Sequence, residues 1–245
     1  MKWTPAVIER KHVWDQGLFT LTIRAPQVES FKPGQFLQLG YDLPDGHLHR
    51  PYSVASPPGE LLEFFIVMVE DGRLTPLLWK AQEGDAIDVS MKAAGSFTLD
   101  HCPQASTLWL VGTGTGLAPY IAMLRTPEPW LRYQSIVLVH GVRHVRDLAY
   151  QKEIAGHQER SDGRFRYVPI VSREACPEGL SGRITTCIEN RSLEERCGIE
   201  FSKDCAIMLC GNPDMLDDCA ELLGARGITK HKKKEPGQIV IERYW

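Results

Sequence analysis

The sequence predicts two domains, a six-stranded antiparallel β-barrel followed by a parallel-sheet α/β domain. Three observations carry that expectation. Short segments of alternating polarity, separated by turn residues, fill the chain up to about Asp100. Beyond it, continuous apolar runs alternate with helical stretches, the mark of buried parallel strands joined by helical crossovers. The first of those runs ends in Gly112-Thr113-Gly114-Thr115-Gly116, a glycine-rich strand-to-helix turn. The boundary is expected as residues 1–102 and 103–245, with Pro103 to Ser106 as linker.

Composition narrows the function. A net charge of −3 over 245 residues argues against a general nucleic-acid binder. Met1 to Trp14 is broken by Lys2, Glu9, Arg10 and Lys11, and no run approaches the roughly 20 apolar residues of a membrane span, so a cytoplasmic protein is expected. The seven cysteines are odd in number and include no Cys-x-x-Cys pair, which favours free thiols over a disulfide framework. Cys205 and Cys210 have the first spacing of an iron–sulfur run, but the third ligand would fall on Pro213, so neither metal nor cluster is expected.

In the first domain the segments Ala6 to Trp14, Leu18 to Ala25, Gly34 to Tyr41, His47 to Ser56, Leu61 to Val69 and Asp85 to Met91 read as strands, with one helix over Thr75 to Gln82. The strand carrying Arg50-Pro51-Tyr52-Ser53 combines a charged fork suited to phosphate, a ring suited to stacking and a small hydroxyl. Such a set fits a planar heterocycle bearing a phosphate; a surface Arg beside a core Tyr is the alternative. Gly72-Arg73-Leu74-Thr75 places a glycine, a cation and a candidate N-cap, Thr75, before the helix, which fits either an anion site or a plain capped helix.

In the second domain, strands are expected at Thr107 to Val111, Ser135 to Val142, Phe165 to Val171 and Ala206 to Cys210. Helices are expected from Leu117, from Asp147, within Arg183 to Arg191 and from Pro213. Ligands of such sheets sit at the carboxyl ends of the strands. There the three-glycine loop bares backbone N–H groups for a pyrophosphate, although it lacks a Walker ending and has Leu117 in place of the third Rossmann glycine. Ser172, Arg173 and Arg183 gather near the third strand end and fit a phosphate monoester, each charged bond contributing about 1.5–3 kcal/mol. Cys210-Gly211-Asn212-Pro213 ends the fourth strand where the reactive end of a nucleotide would lie; a buried filler thiol is the other reading. Lys230 to Lys234 is a basic run, and Gln238 to Trp245 a final strand ending in two aromatics.

Taken in order, these motifs resemble those of the bacterial ferredoxin/flavodoxin–NADP⁺ reductases along essentially the whole chain. Arg50-Pro51-Tyr52-Ser53 with Ser56 is similar to the family's flavin motif. Gly72 to Leu78 is similar to its pyrophosphate motif, and Gly112 to Pro119 to its NADP loop. The resemblance implies a barrel that binds FAD, an α/β domain that binds NADP(H) as co-substrate, and electron transfer to ferredoxin or flavodoxin by a monomer. On FAD it implies Arg50, Pro51, Tyr52, Ser53, Ile66, Val67, Leu74, Thr75, Thr115, Tyr244 and Trp245. On NADP it implies Thr113, Gly114, His140, Arg143, Ser172, Arg173, Arg183, Gly211 and Asp214. Ser53 and Cys210 would stand at the reacting rings. Ending in Trp245, where plant-type members end in Tyr, departs from the pattern. A free-flavin or quinone reductase and an electron-transfer subunit of a larger complex are the competing functions. Activity on free flavin would favour the first and a co-purifying partner the second.

Overall fold

The computed structural model describes residues 1–232 and 234–243. Two compact units result: Met1–Thr98 with Ala118–Thr126, and Leu99–Leu117 with the chain from Pro127 onward. The chain therefore changes unit at Thr98/Leu99, Leu117/Ala118 and Thr126/Pro127, rather than once after Cys102. Packing explains the return of the 118–126 stretch. Tyr120 is wholly buried with its ring 6.0 Å from that of Phe97, and the Met123 methyl lies so close to Gly34 that a Cβ there would sit 2.7 Å from it.

The first unit contains β1 (Trp3–Asp15), β2 (Leu18–Arg24), β3 (Phe36–Leu43), β4 (Gly46–Ser53), β5 (Leu61–Val67), α1 (Thr75–Lys80) and β6 (Ala86–Ser90). The strands pair antiparallel in the order β4-β3-β6-β1-β2-β5, and a bridge between Val54 and Phe64 links the two ends of the sheet into a barrel. Alternation sets the inside. Along β1, Thr4, Ala6 and Ile8 are buried while Pro5 and Val7 face out. Ile8, Phe19, Leu21, Ile23, Leu37, Leu39, Leu62 and Phe64 fill the core, each worth about 1.5–3 kcal/mol of apolar burial. Helix α1 covers one end through Leu74 and Leu78. Its C-terminal carbonyls accept from Lys11 Nζ, at Trp79 O and, at 3.1 Å, Ala81 O, which sets a cation where the helix dipole favours one.

The second unit is a parallel sheet with strand order β10-β9-β8-β7-β11-β12. Its strands are β7 (Thr107–Thr113), β8 (Ser135–Val142), β9 (Phe165–Val171), β10 (Leu180–Ser181), β11 (Cys205–Gly211) and β12 (Ile239–Arg243). After β7 comes a 3-10 turn, Gly114–Leu117, which leads into α2 (Ala118–Leu124) of the first unit. The remaining helices are α3 (Glu128–Arg132), α4 (Gln151–Arg160), α5 (Ile184–Glu189), α6 (Ser192–Cys197) and α7 (Pro213–Gly224). Every residue of β11 is buried, as the apolar run requires of a central parallel strand.

Several expectations change. The helix expected from Asp147 starts at Gln151; Val145–Asp147 is a separate 3-10 turn, closed by Asp147 accepting the His144 N–H at 2.9 Å. Helices α3 and α6 were not expected: at five and six residues they are too short to display a period. The Pro103–Ser106 linker is no free tether, since Arg132 donates to Pro103 O at 3.3 Å and the Ser106 hydroxyl donates to Asp204 at 2.5 Å. Among the described residues no helix is long and apolar enough to cross a membrane.

Candidate functional site

On the barrel, β4 displays its motif at the sheet edge, paired only with β3. Arg50 and Pro51 are exposed, Tyr52 is half-buried against the barrel core, and Ser53 is buried. Burial pushes the Tyr52 phenol up, so the ring stays neutral. A cleft of about 450 Å³ lies beside this strand, lined by Asp45, His47, His49, Arg50 and Arg73 among others. Arg50 has no carboxylate partner among the described residues and donates only to its neighbour's carbonyl, His49 O, at 2.7 Å. Arg73, expected to add bare charge, is instead paired with Asp45.

The structure corrects other barrel-side expectations. Leu74, not Thr75, is the N-cap of α1. The Thr75 hydroxyl is engaged at Val69, accepting its N–H at 2.9 Å and donating to its carbonyl at 3.2 Å. Ile66 and Leu74 send their side chains into the barrel core, so only their backbones are available to a ligand; Val67 faces out. Ser56 accepts the Glu63 N–H at 3.1 Å, a structural task. Sequence reasoning missed Arg125, which follows α2. Its Nη1 donates to Ala55 O at 3.0 Å and to Glu63 Oε2 at 2.9 Å, fastening the chain just past Ser53. No local motif announces such a long-range clamp.

In the second unit the strand ends form two rows. Strand register sets His140, Gly112, Cys210 and Glu242 side by side across β8, β7, β11 and β12. One step on, Thr113 Oγ1 accepts the Asn212 N–H at 3.0 Å and ties the β7 turn to the β11 turn. Two glycines make this closeness possible. A Cβ on Gly116 would lie 2.6 Å from Cys210 O, and one on Gly211, whose φ is +128°, would lie 2.2 Å from Thr113 Oγ1. Asn212 then caps α7 by accepting the Met215 N–H at 3.1 Å, with Asp214 exposed in the first turn. Cys210 is wholly buried and Thr115 nearly so. Sequence reasoning also missed Glu242: level with Cys210 and half-buried, its carboxyl is pushed up by burial. The alternation of the final strand was its only sequence signal.

His140, expected to touch nucleotide, is wholly buried and cannot. Its Nε2 donates to Gly114 O at 3.0 Å. The other expected residues do come together at the ends of β8, β9 and β10. The Ser172 and Arg173 N–H groups bond Val142 O and Arg143 O, each at 3.0 Å, and the Gly182 N–H bonds Val171 O at 2.8 Å. This brings Arg143, Ser172, Arg173 and Arg183 to one edge, all exposed, the three guanidiniums without a carboxylate partner among the described residues. Of the basic run, Lys230 lies 3.7 Å from Asp217 and Lys232 2.8 Å from Glu235, so both charges are partly answered. Lys233, Tyr244 and Trp245 lie outside the described residues. Asp42, His47 and Asp88 form a trio of metal-ligand types, but the carboxylates face opposite ring nitrogens of His47, at 3.9 and 3.6 Å, as in an ion-pair arrangement.

An antiparallel barrel with a cationic cleft, joined in sequence to a parallel sheet with a glycine-rich turn, defines a two-unit oxidoreductase architecture. Residues 110–221 match the Oxidoreductase NAD-binding domain family. The chain is 39% identical over 246 residues to the flavodoxin/ferredoxin–NADP reductase of Escherichia coli (strain K12), covering 99% of each. It is 36% identical over 244 residues to the ferredoxin–NADP reductase of Azotobacter vinelandii, covering 95% of this chain and 93% of that one. The crystal structure of a ferredoxin NADP⁺ reductase from Neisseria gonorrhoeae with bound FAD and NADP superposes with a TM-score of 0.94 at 34% identity, over 99% of both chains. The chain belongs to the flavodoxin/ferredoxin–NADP reductase family.

Proposed function

We propose that this chain binds FAD on its barrel and NADPH on its parallel-sheet unit, and exchanges electrons with ferredoxin or flavodoxin. The observation that carries the reading is the pairing of two unlike sites in one chain. On the barrel, Arg50, with no carboxylate partner among the described residues, stands beside a half-buried neutral ring. On the sheet, Gly114 has open space beside it in the turn after β7, and Gly116 and Gly211 let that turn pack against the β11 turn. Both fit the groups assigned to them. The cleft at Arg50 suits the diphosphate of FAD, and the turn after β7 is open beside Gly114, where a second diphosphate can approach. When bound, flavin supplies the conversion between a two-electron hydride and single electrons.

The chain's own residues then bind and orient. Tyr52 supplies a face for the isoalloxazine and Ser53 a hydroxyl near its edge, with Pro51, Val67 and the backbones of Ile66, Leu74 and Thr75 alongside. Thr113, Gly114, Thr115 and Gly211 line the nucleotide loop, with Asp214 beyond it. Arg143 faces the adenosine half, and Ser172, Arg173 and Arg183 hold the 2′-phosphate with charge-assisted bonds. Cys210 and Glu242 stand side by side at the reacting end, burial raising the Glu242 carboxyl above its ordinary pKa. The electron carrier is a separate protein. We read the chain as a cytoplasmic monomer, and seven cysteines outside any disulfide fit a reducing compartment. Anaerobic titration of the purified protein tests the reading: a flavin spectrum should bleach readily with NADPH and poorly with NADH. Colourless protein that cannot be loaded with FAD would sink it.

A further inference from the structure

One buried titratable side chain has no task in the machinery above. The His140 ring is fully enclosed on β8, and burial pushes its pKa down to about 4, so it is neutral at physiological pH. A carbonyl oxygen can only accept, so the 3.0 Å contact with Gly114 O fixes the proton on Nε2. Nδ1 is then a bare acceptor, buried, with no hydrogen-bond partner among the described residues. A buried acceptor without a partner is unfavourable, and a leucine here would avoid that entirely. The histidine is therefore explained by what its other nitrogen does.

What it does is orient one peptide. In a planar trans peptide the C=O of one residue and the N–H of the next point in opposite directions. Holding Gly114 O against the buried ring turns the Thr115 N–H the other way, away from His140. Gly114 needs such a hold: its φ of +53° lies in the left-handed region, and nothing lies within 4 Å of where its Cβ would be. We propose that His140 is a positioning residue, a buried donor that sets the 114–115 peptide so that the Thr115 N–H faces the diphosphate of the bound nucleotide. The ligand half of this inference rests on the NADP reading of the loop; the orienting half rests on geometry alone.

The test uses FAD-loaded full-length protein and the variants His140→Leu and His140→Gln, with NADP⁺ and NADPH as probes. Nitrogen NMR of the wild type should show the Nε2–H tautomer, unchanged between pH 5.5 and 8. His140→Leu should weaken NADP⁺ binding about tenfold, the worth of one hydrogen bond. It should raise KM for NADPH with little change in kcat, and leave flavin content and spectrum intact. His140→Gln, whose amide also donates, should recover most of the loss. Amide exchange at Thr115 should be faster in the leucine variant than in the glutamine variant, a readout that needs no nucleotide. If His140→Leu does not fold, His140→Asn replaces it, since its amide is too short to reach Gly114 O. An Nδ1–H tautomer would overturn the proposal. So would NADP⁺ affinity within twofold of wild type in the leucine variant, or glutamine no better than leucine. A wild type that ignores both NADP⁺ and NADPH while the exchange difference holds would instead overturn the nucleotide reading of the loop and keep the orienting role.

Discussion

The barrel and the sheet offer their ligands different things. On β4, side chains do the presenting: a guanidinium with no acid partner, a half-buried ring, a hydroxyl. At the ends of β7 and β11 side chains are removed instead, and what is presented is backbone, held in place by Thr113 Oγ1 on one side and His140 on the other. The two designs fail differently. Losing a presented side chain removes one contact and leaves the frame. Adding a side chain where backbone must pass disturbs the frame itself.

The largest effect should therefore come from Gly116→Val. Its Cβ would meet Cys210 O at 2.6 Å, a backbone atom that cannot swing aside. Overpacking of this kind costs about 1–3 kcal/mol. NADP⁺ affinity measured by titration should fall roughly a hundredfold or more, because both turns shift together. Next comes the double change Arg173→Ala with Arg183→Ala, which removes two exposed, unpaired charges and leaves the loop untouched. With about 1.5–3 kcal/mol per charged bond, the ratio of kcat/KM for NADPH over NADH should drop on the order of a hundredfold. An unchanged ratio would assign the 2′-phosphate elsewhere.

A separate effect is on stability against pH. Folded His140 takes a proton only near pH 4, whereas unfolded it does so near 6.5. Between those values the unfolded chain binds the extra proton, so the folded state is favoured fully above pH 6.5 and loses ground as the pH falls toward 4. The slope is at most about 1.4 kcal/mol per pH unit. Urea midpoints of wild type and His140→Gln should converge as the pH is lowered through that window; parallel curves would mean the ring is not held neutral.

The same contrast decides what the sequence could reveal. The Arg50–Ser53 motif and the three-glycine turn were legible because each is a compact local string whose chemistry needs neighbours in sequence. Six strands of the barrel and four of the parallel sheet were legible because burial on one or both faces writes a period into the chain, and a fifth, β12, was expected from the aromatic pair that follows it. Three kinds of feature were not. Arg125 acts on Ala55 and Glu63 from a helix far along the chain, and no string predicts such a contact. Thr75 looked like a cap because it precedes a helix, yet its hydroxyl found Val69 first. His140 was read as a ligand-facing residue because it ends a strand; only the register beside Gly112 shows that its ring turns inward beneath the loop.

The most direct test of this division is to measure bound FAD per chain and the NADP⁺ dissociation constant on the same preparations of Tyr52→Ala and Gly116→Val. With folding checked by circular dichroism, Tyr52→Ala should lose FAD roughly fivefold more easily while binding NADP⁺ as the wild type does, a ring contact being worth about 1 kcal/mol beyond burial. Gly116→Val should keep its FAD and lose NADP⁺. Full FAD retention in Tyr52→Ala, or both ligands lost together in either variant, would contradict the account of two separately built sites.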